Sequence, residues 1–168
     1  MKESTFTIIE NMPLTNNVFR MRLRGDTSAI TRPGQFVNLQ LEGFFLRRPI
    51  SVCDVSDDVL TIIYKVVGKG TAYMAALPFG KKLSLLTGLG NGYDLALSGP
   101  DPVLIGGGVG VPPLYWLAKK LTETGKHVTV IEGFNTASEI FLREEFEALG
   151  ADVLITTADG SFGIRGFA

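Results

Sequence analysis

Three strings in this chain carry residue types suited to holding phosphate, while little else in it is suited to acid–base or nucleophilic work. The run Val103–Leu117, VLIGGGVGVPPLYWL, ends an apolar strand in glycines and opens through two prolines into a helix. A glycine-rich strand-to-helix turn lets the main chain approach a ligand closely, and the positive end of the following helix favours an anion. Pro112 and Pro113 suit a helix's first turn, where a missing N–H costs nothing. The spacing is not GxGxxG, because Val111 stands where a third glycine would follow Gly106 and Gly108. That disfavours the common Rossmann dehydrogenase, and a purely structural turn is the competing reading.

The second string is Arg47-Arg48-Pro49-Ile50-Ser51, at the expected start of a strand. The guanidinium of Arg48 can pair with a phosphate through two parallel bonds, Pro49 fixes the local backbone, and Ser51 offers a hydroxyl. An exposed strand start with a surface arginine is the alternative. The third is Ile63-Tyr64-Lys65, followed by Val67-Gly68-Lys69-Gly70-Thr71. There Gly70 would permit a tight turn, and the N–H and hydroxyl of Thr71 would meet a second phosphate oxygen at a helix start. An ordinary capped helix after a hairpin reads equally well from this string alone.

Other residues that could do chemistry have plainer readings. His127, the single histidine, falls at a strand edge, and Cys53 alternates with small apolar neighbours as a buried thiol does. Glu144, Glu145 and Glu147 occupy the polar face of a helix, and Tyr115 and Trp116 fall among the apolar positions of another. Asp159 with Gly160 and Ser161 reads as a turn. Glu132 closes an expected strand, where an acid could accept from a ribose hydroxyl and repel a 2′-phosphate, favouring NAD over NADP. No catalytic residue and no metal ligand set is assigned.

Of 168 residues, 45% are hydrophobic and 20% charged, enough for one domain or two small ones with a real core. No apolar stretch reaches the roughly 18 residues of a membrane span, and the start MKESTFTIIE lacks the apolar core of a signal peptide. The expectation is a cytoplasmic protein with no membrane contact. The net charge of −1 argues against nucleic acid, but residues 1–90 carry eleven Lys/Arg against seven Asp/Glu, and residues 91–168 five against ten. A basic front half fits a polyanionic ligand.

Up to Leu97 the chain alternates short β runs with turn residues: Thr5–Ile9, Val18–Leu23, Gln35–Leu41, Ile50–Val55, Val59–Val66 and Leu83–Leu86, with a short helix over Thr71–Ala76. This predicts a six-stranded antiparallel barrel over residues 1–97. From residue 98 strand and helix alternate: VLIGG, a helix over Pro113–Thr124, HVTVIEGF, an amphipathic helix over Ser138–Gly150, and ADVLITTAD. That order predicts a parallel α/β lobe with right-handed crossovers over residues 98–168. Three strands are fewer than the five or six usual in a nucleotide-binding sheet. The final SFGIRGFA reads as a glycine-rich loop with no closing strand, so the lobe is expected to be partial and the chain truncated.

In this order, RRPISV, IYKVVGKGT, the Gly88–Tyr93 loop GLGNGY, IGGGVGVPPL and ADGSFGIRG resemble the ferredoxin-NADP reductase superfamily. Within it the chain is most similar to the electron-transfer subunits of type B dihydroorotate dehydrogenases, essentially from end to end. The resemblance implies an FAD-binding barrel and an NAD-binding α/β lobe. It places FAD against Arg48, Pro49, Ile50, Ser51, Ile63, Tyr64, Lys65, Gly70 and Thr71, and NAD over Gly106, Gly107, Gly108, Gly110 and Pro112. It also implies an FMN-containing catalytic dihydroorotate dehydrogenase partner, a heterotetramer, and a role in pyrimidine biosynthesis. Electrons in such a complex pass through a 2Fe-2S cluster held by four cysteines in a C-terminal segment, and those ligands are absent from these residues. Another NAD(P)H-flavin or ferredoxin reductase subunit of the same fold, or a non-catalytic module that binds FAD or a partner, are the alternatives.

Overall fold

A computed structural model describes all 168 residues. It divides into two compact units, Met1–Gly92 and Tyr93–Ala168.

In the first unit, strands β1 (Lys2–Pro13), β2 (Val18–Arg24), β3 (Phe36–Leu39), β4 (Arg48–Ser56), β5 (Val59–Lys65) and β6 (Lys82–Leu89) form a closed barrel. They run in the order β1-β2-β5-β4-β3-β6, every pair antiparallel. Period-two alternation drives the closure: Phe6, Ile8, Met21, Leu23, Val37, Leu39, Leu60, Ile62 and Leu85 are fully buried. The barrel is the expected six-stranded one, with different strand lengths. β1 runs to twelve residues because its first half, Lys2–Thr7, pairs with β6 and its second half, Thr7–Pro13, with β2. β3 is only four residues long, since Gln35 turns back through its side chain to accept from the N–H groups of Thr31 and Arg32.

The short helix α1 covers Lys69–Ala75, beginning two residues before the expected start. Gly70 therefore lies inside its first turn instead of making a tight turn ahead of it.

In the second unit, β7 (Val103–Gly107), β8 (Thr129–Phe134), β9 (Asp152–Thr157) and β10 (Ile164–Arg165) form a parallel sheet in the order β10-β9-β8-β7. Helices α2 (Pro112–Glu123) and α3 (Arg143–Ala148) lie on one face, joined by the edge-on contact of Tyr115 with Phe146. The opposite face leaves Val103, Ile105 and Leu154 about half exposed.

Two expectations are corrected here. The helix over Ser138–Gly150 shrinks to Arg143–Ala148, because Leu142 takes a left-handed φ of 68° that breaks any helix through it. Phe141 and Leu142 are both buried, Phe141 edge-on to Phe134, and that burial offsets the strain. The tail contains a fourth strand: Ile164 and Arg165 pair with Thr156 and Thr157, and the hydroxyl of Thr157 donates to the Phe162 carbonyl at 2.7 Å. The compact units divide at Gly92, and Lys126 donates to the carbonyls of Leu95 and Ser98 and to the Ser98 hydroxyl. No helix is long and apolar enough to cross a membrane.

Candidate cofactor sites

In the first unit the site is made by two strands that stop pairing. The β4–β5 ladder runs from Ser56–Val59 to Val52–Ile62 and ends there. Beyond that point Arg48–Ser51 pair only with β3, and Ile63–Lys65 only with β2. Seven of the residues assigned to FAD therefore flank one split in the barrel wall, where strand edges turned away from their remaining partners expose main-chain donors and acceptors. The chain leaving β5 then enters α1, which brings Gly70 and Thr71 to the same place.

Arg48 joins the two parts. A Cβ built on Gly70 would lie 2.3 Å from Arg48 Nε and 2.6 Å from Nη2, so only glycine leaves room for the guanidinium against the helix's first turn. The guanidinium also lies over the Phe44 ring, 5.1 Å from its centroid, and Phe44 in turn packs on Tyr73 of α1. Nη1 is committed to the carbonyls of Leu46 and Arg47. Nε and Nη2 remain beside the first-turn N–H groups of α1, which have no partner within a helix. A fixed cation beside unspent N–H donors fits a pyrophosphate.

Two assigned side chains work differently from the sequence reading. The Thr71 hydroxyl is spent on the helix itself, accepting from the N–H groups of Val67 and Gly68 and donating to the Gly68 carbonyl. Only its main chain is left for a ligand. Tyr64 is buried, its ring stacked on Phe19, and its hydroxyl donates to Asn11 Oδ1 at 3.0 Å. Burial pushes that phenol's pKa well above its ordinary value, against the Asn11 hydrogen bond that lowers it. Asn11 Nδ2 in turn donates to the carbonyls of Met74, Ala75 and Leu77. The pair thus pins the C-terminal end of α1 and so fixes where Gly70 stands. Sequence reasoning passed over Asn11, an isolated polar residue in a strand.

Asn11→Ala is expected to cost about 2–3 kcal/mol, because it orphans a buried phenol and several carbonyls. Urea unfolding of the two proteins checks it. A loss below 0.5 kcal/mol, roughly the size of an ordinary surface substitution, would contradict the pinning role.

In the second unit β7 runs into a 3₁₀ turn over Gly108–Gly110 and then α2. The glycines have separate reasons. At Gly106 a Cβ would lie 2.8 Å from Leu114 Cδ1 and 3.0 Å from the Gly110 carbonyl oxygen, so it lets α2 pack onto the strand. Gly108 needs its φ of 51°. Gly107 and Gly110 are exposed, and a Cβ on either would meet no side chain. Gly110 is thus required neither by packing nor by a left-handed φ, and the space over it is open to a ligand. Pro112 and Pro113 remove two N–H groups from α2, and that of Leu114 is bound to the Val111 carbonyl. An anion here meets the main chain of the glycine turn and the α2 dipole, not a row of helix N–H groups.

Glu132 does not reach the strand edge as expected: it is fully buried, so it cannot accept from a ribose hydroxyl. Asp159 shapes its own loop, accepting from the N–H and hydroxyl of Ser161. His127 is exposed, 3.0 Å from Asp152, while Cys53 and Trp116 are buried. The single cysteine cannot hold an iron–sulfur cluster, and no group of three or more His, Cys, Asp or Glu is placed to bind a metal.

A closed six-stranded antiparallel barrel followed by a parallel sheet with a glycine turn is the ferredoxin-reductase-like fold. The solved NADH-dependent reduced ferredoxin-NADP oxidoreductase, described for flavin-based electron bifurcation, superposes at a TM-score of 0.85 with 31% identity, over 96% of this chain and 59% of that one. A ferredoxin NADP+ reductase from Neisseria gonorrhoeae shares the fold at a TM-score of 0.84 and 19% identity, over 100% of this chain and 74% of that one. No protein-family model matches the chain.

Among curated proteins, the "Dihydroorotate dehydrogenase B (NAD(+)), electron transfer subunit" of Fusobacterium nucleatum is 39% identical over 99% of this chain and 67% of its own length. That of Bacillus pumilus is 38% identical, with the same shares covered. The chain belongs to the family of dihydroorotate dehydrogenase B electron transfer subunits and spans about two thirds of these relatives' length.

Proposed function

We propose that this chain holds FAD on its first unit and NAD on its second, and carries electrons between NAD and a catalytic partner subunit that oxidises dihydroorotate with FMN. In this reading residues 1–97 are the FAD-binding domain, residues 98–168 the NAD-binding domain, and the assembly is a cytoplasmic heterotetramer serving pyrimidine biosynthesis. Family membership supports it, and one observation carries it: the split between β4 and β5 gathers Arg48–Ser51, Ile63–Lys65 and the first turn of α1, with Arg48 occupying the space that Gly70 leaves.

A flavin, when bound, supplies hydride and single-electron transfer with a nicotinamide. The protein's part is positional. Arg48 and the first turn of α1 neutralise the pyrophosphate, the unpaired edges of β4 and β5 give hydrogen bonds to a flat polar ring, and Pro49 keeps that edge from closing. The turn at Gly107–Gly110 admits the phosphates of the dinucleotide. No side chain here need exchange a proton. A 2Fe-2S cluster does not fit these residues, and no step is assigned to one.

The purified chain is expected to show flavin absorbance or to take up added FAD, and NADH is expected to bleach it. A colourless protein that ignores FAD would refute the reading. A yellow one that NADH leaves unreduced would reduce it to an FAD-binding module.

A further inference from the structure

Glu132 is the only acid in the chain with no exposed surface, and neither of its carboxyl oxygens has a hydrogen-bond partner. It stands on β8 between Gly106 of β7 and Ile155 of β9. Its side chain therefore leaves the sheet on the face where Gly106 receives Leu114 of α2. On that face α2 and α3 meet through Tyr115 and Phe146, 5.4 Å apart.

The charged groups around it come from α3. Glu145 and Glu147 favour the protonated acid, and Arg143 opposes them while itself paired to Glu147 at 2.8 Å. α2 brings Tyr115 and, one turn on, Lys119 to the α3 side. The flanking β residues, Gly106 and Ile155, bring no charge. Burial is the largest cause, and it pushes the carboxyl up to about 8. An ionised carboxylate without a partner is too costly to keep in such a place. It must hold its proton, or the helices must lift from the sheet, and lifting α2 removes Leu114 from Gly106.

We propose that Glu132 is a positioning acid for the glycine turn: protonated, it lets α2 and α3 close on the sheet and seats Gly106–Gly110, and ionised, it loosens that packing and weakens dinucleotide binding. The proposal rests on the reading of the second unit as the NAD-binding one. The folded carboxyl keeps a proton that the unfolded chain releases near 4.5, so stability falls as pH rises from there to about 8 and levels off beyond. Dinucleotide affinity compares two folded states, so it falls only above about 8.

The test titrates the chain with NADH from pH 6 to 9.5 and, without nucleotide, follows hydrogen-exchange protection of the Ile105–Leu117 amides over the same range. In the wild type the Kd is expected to stay flat to about pH 8 and then rise toward tenfold per unit, one proton being linked to binding, with protection falling in step. Glu132→Gln and the volume-matched Glu132→Met are expected to flatten both. Equal protection profiles in wild type and variants would overturn the proposal. If NADH binds at no pH, the NAD reading fails while the exchange data still decide the role of Glu132. If both variants fail to fold, carbon-13 titration of the Glu132 carboxyl in the wild type decides, and a midpoint near 4.5 would overturn it.

Discussion

Arg48→Ala is expected to weaken FAD binding by about 1.5–3 kcal/mol, roughly 10- to 150-fold in Kd, with little change in stability. The side chain is half-buried, and its guanidinium is stacked on Phe44 and packed over Gly70. Its charge is thus already positioned, and little conformational entropy remains to be lost on binding. Gly70→Ala reaches the same group from the other side. Its Cβ would stand 2.3 Å from Nε, at the movable end of a long side chain, so the guanidinium swings away rather than the backbone. The helix itself gains about 0.5–1 kcal/mol from the substitution. Stability should therefore hold or rise while FAD affinity falls, a combination that damage to the fold cannot produce. Because both changes remove one arrangement, the double variant should lose little more than Arg48→Ala alone. Flavin fluorescence titration and urea unfolding of the three variants read both quantities. Unchanged FAD affinity in Gly70→Ala would mean that the guanidinium is not the pyrophosphate's partner.

What could be read from the residues was what local spacing encodes. Alternation in FVNLQL and LTIIYKV announced barrel strands, because one side of each must be apolar. The change of style after Leu97 announced strands that alternate with helices. The three phosphate-suited strings were legible as separate strings, but their convergence was not. That Arg48 lies over Gly70 depends on where the β4–β5 ladder ends, and a ladder's end is set by strand register across the barrel, not by either string.

The same limit explains the errors. Gly70 looks like a turn residue among its neighbours because its actual reason, a side chain 22 positions earlier in sequence, is not local. The Ser138–Gly150 helix has good helical spacing, yet the gain from burying Phe141 and Leu142 together outweighs it at a left-handed residue. Ile164–Arg165 is too short to show alternation. The position of Glu132 near the end of a strand suggests an edge residue, whereas the face it takes is fixed by its registry with Gly106. Asn11 gave no signal at all, since a hydrogen bond to carbonyls more than 60 residues away has no pattern in sequence.

Gly106 and Gly110 should answer alanine substitution with opposite signs. A Cβ at Gly106 would press on Leu114 Cδ1 at 2.8 Å, on the Gly110 carbonyl oxygen at 3.0 Å and on Val111 Cα at 3.1 Å. Two of these neighbours are main chain and cannot rotate away. Gly106→Ala must therefore push α2 off β7, at a cost of about 1–3 kcal/mol, typical of overpacking, and it should weaken dinucleotide binding only as a consequence. Gly110→Ala meets no atom within 4 Å and no left-handed φ, so it should stabilise the second unit by about 0.4–1 kcal/mol through the unfolded chain. Its methyl group nevertheless fills the space through which the main chain of the turn would approach a phosphate, and NADH affinity should drop by about tenfold, ~1.4 kcal/mol. Thermal unfolding and NADH titration of both variants separate the two roles. A Gly110→Ala protein that is more stable and binds NADH as tightly as wild type would place the dinucleotide elsewhere, because the open space over Gly110 is what makes this turn a binding site and not only a tight connection.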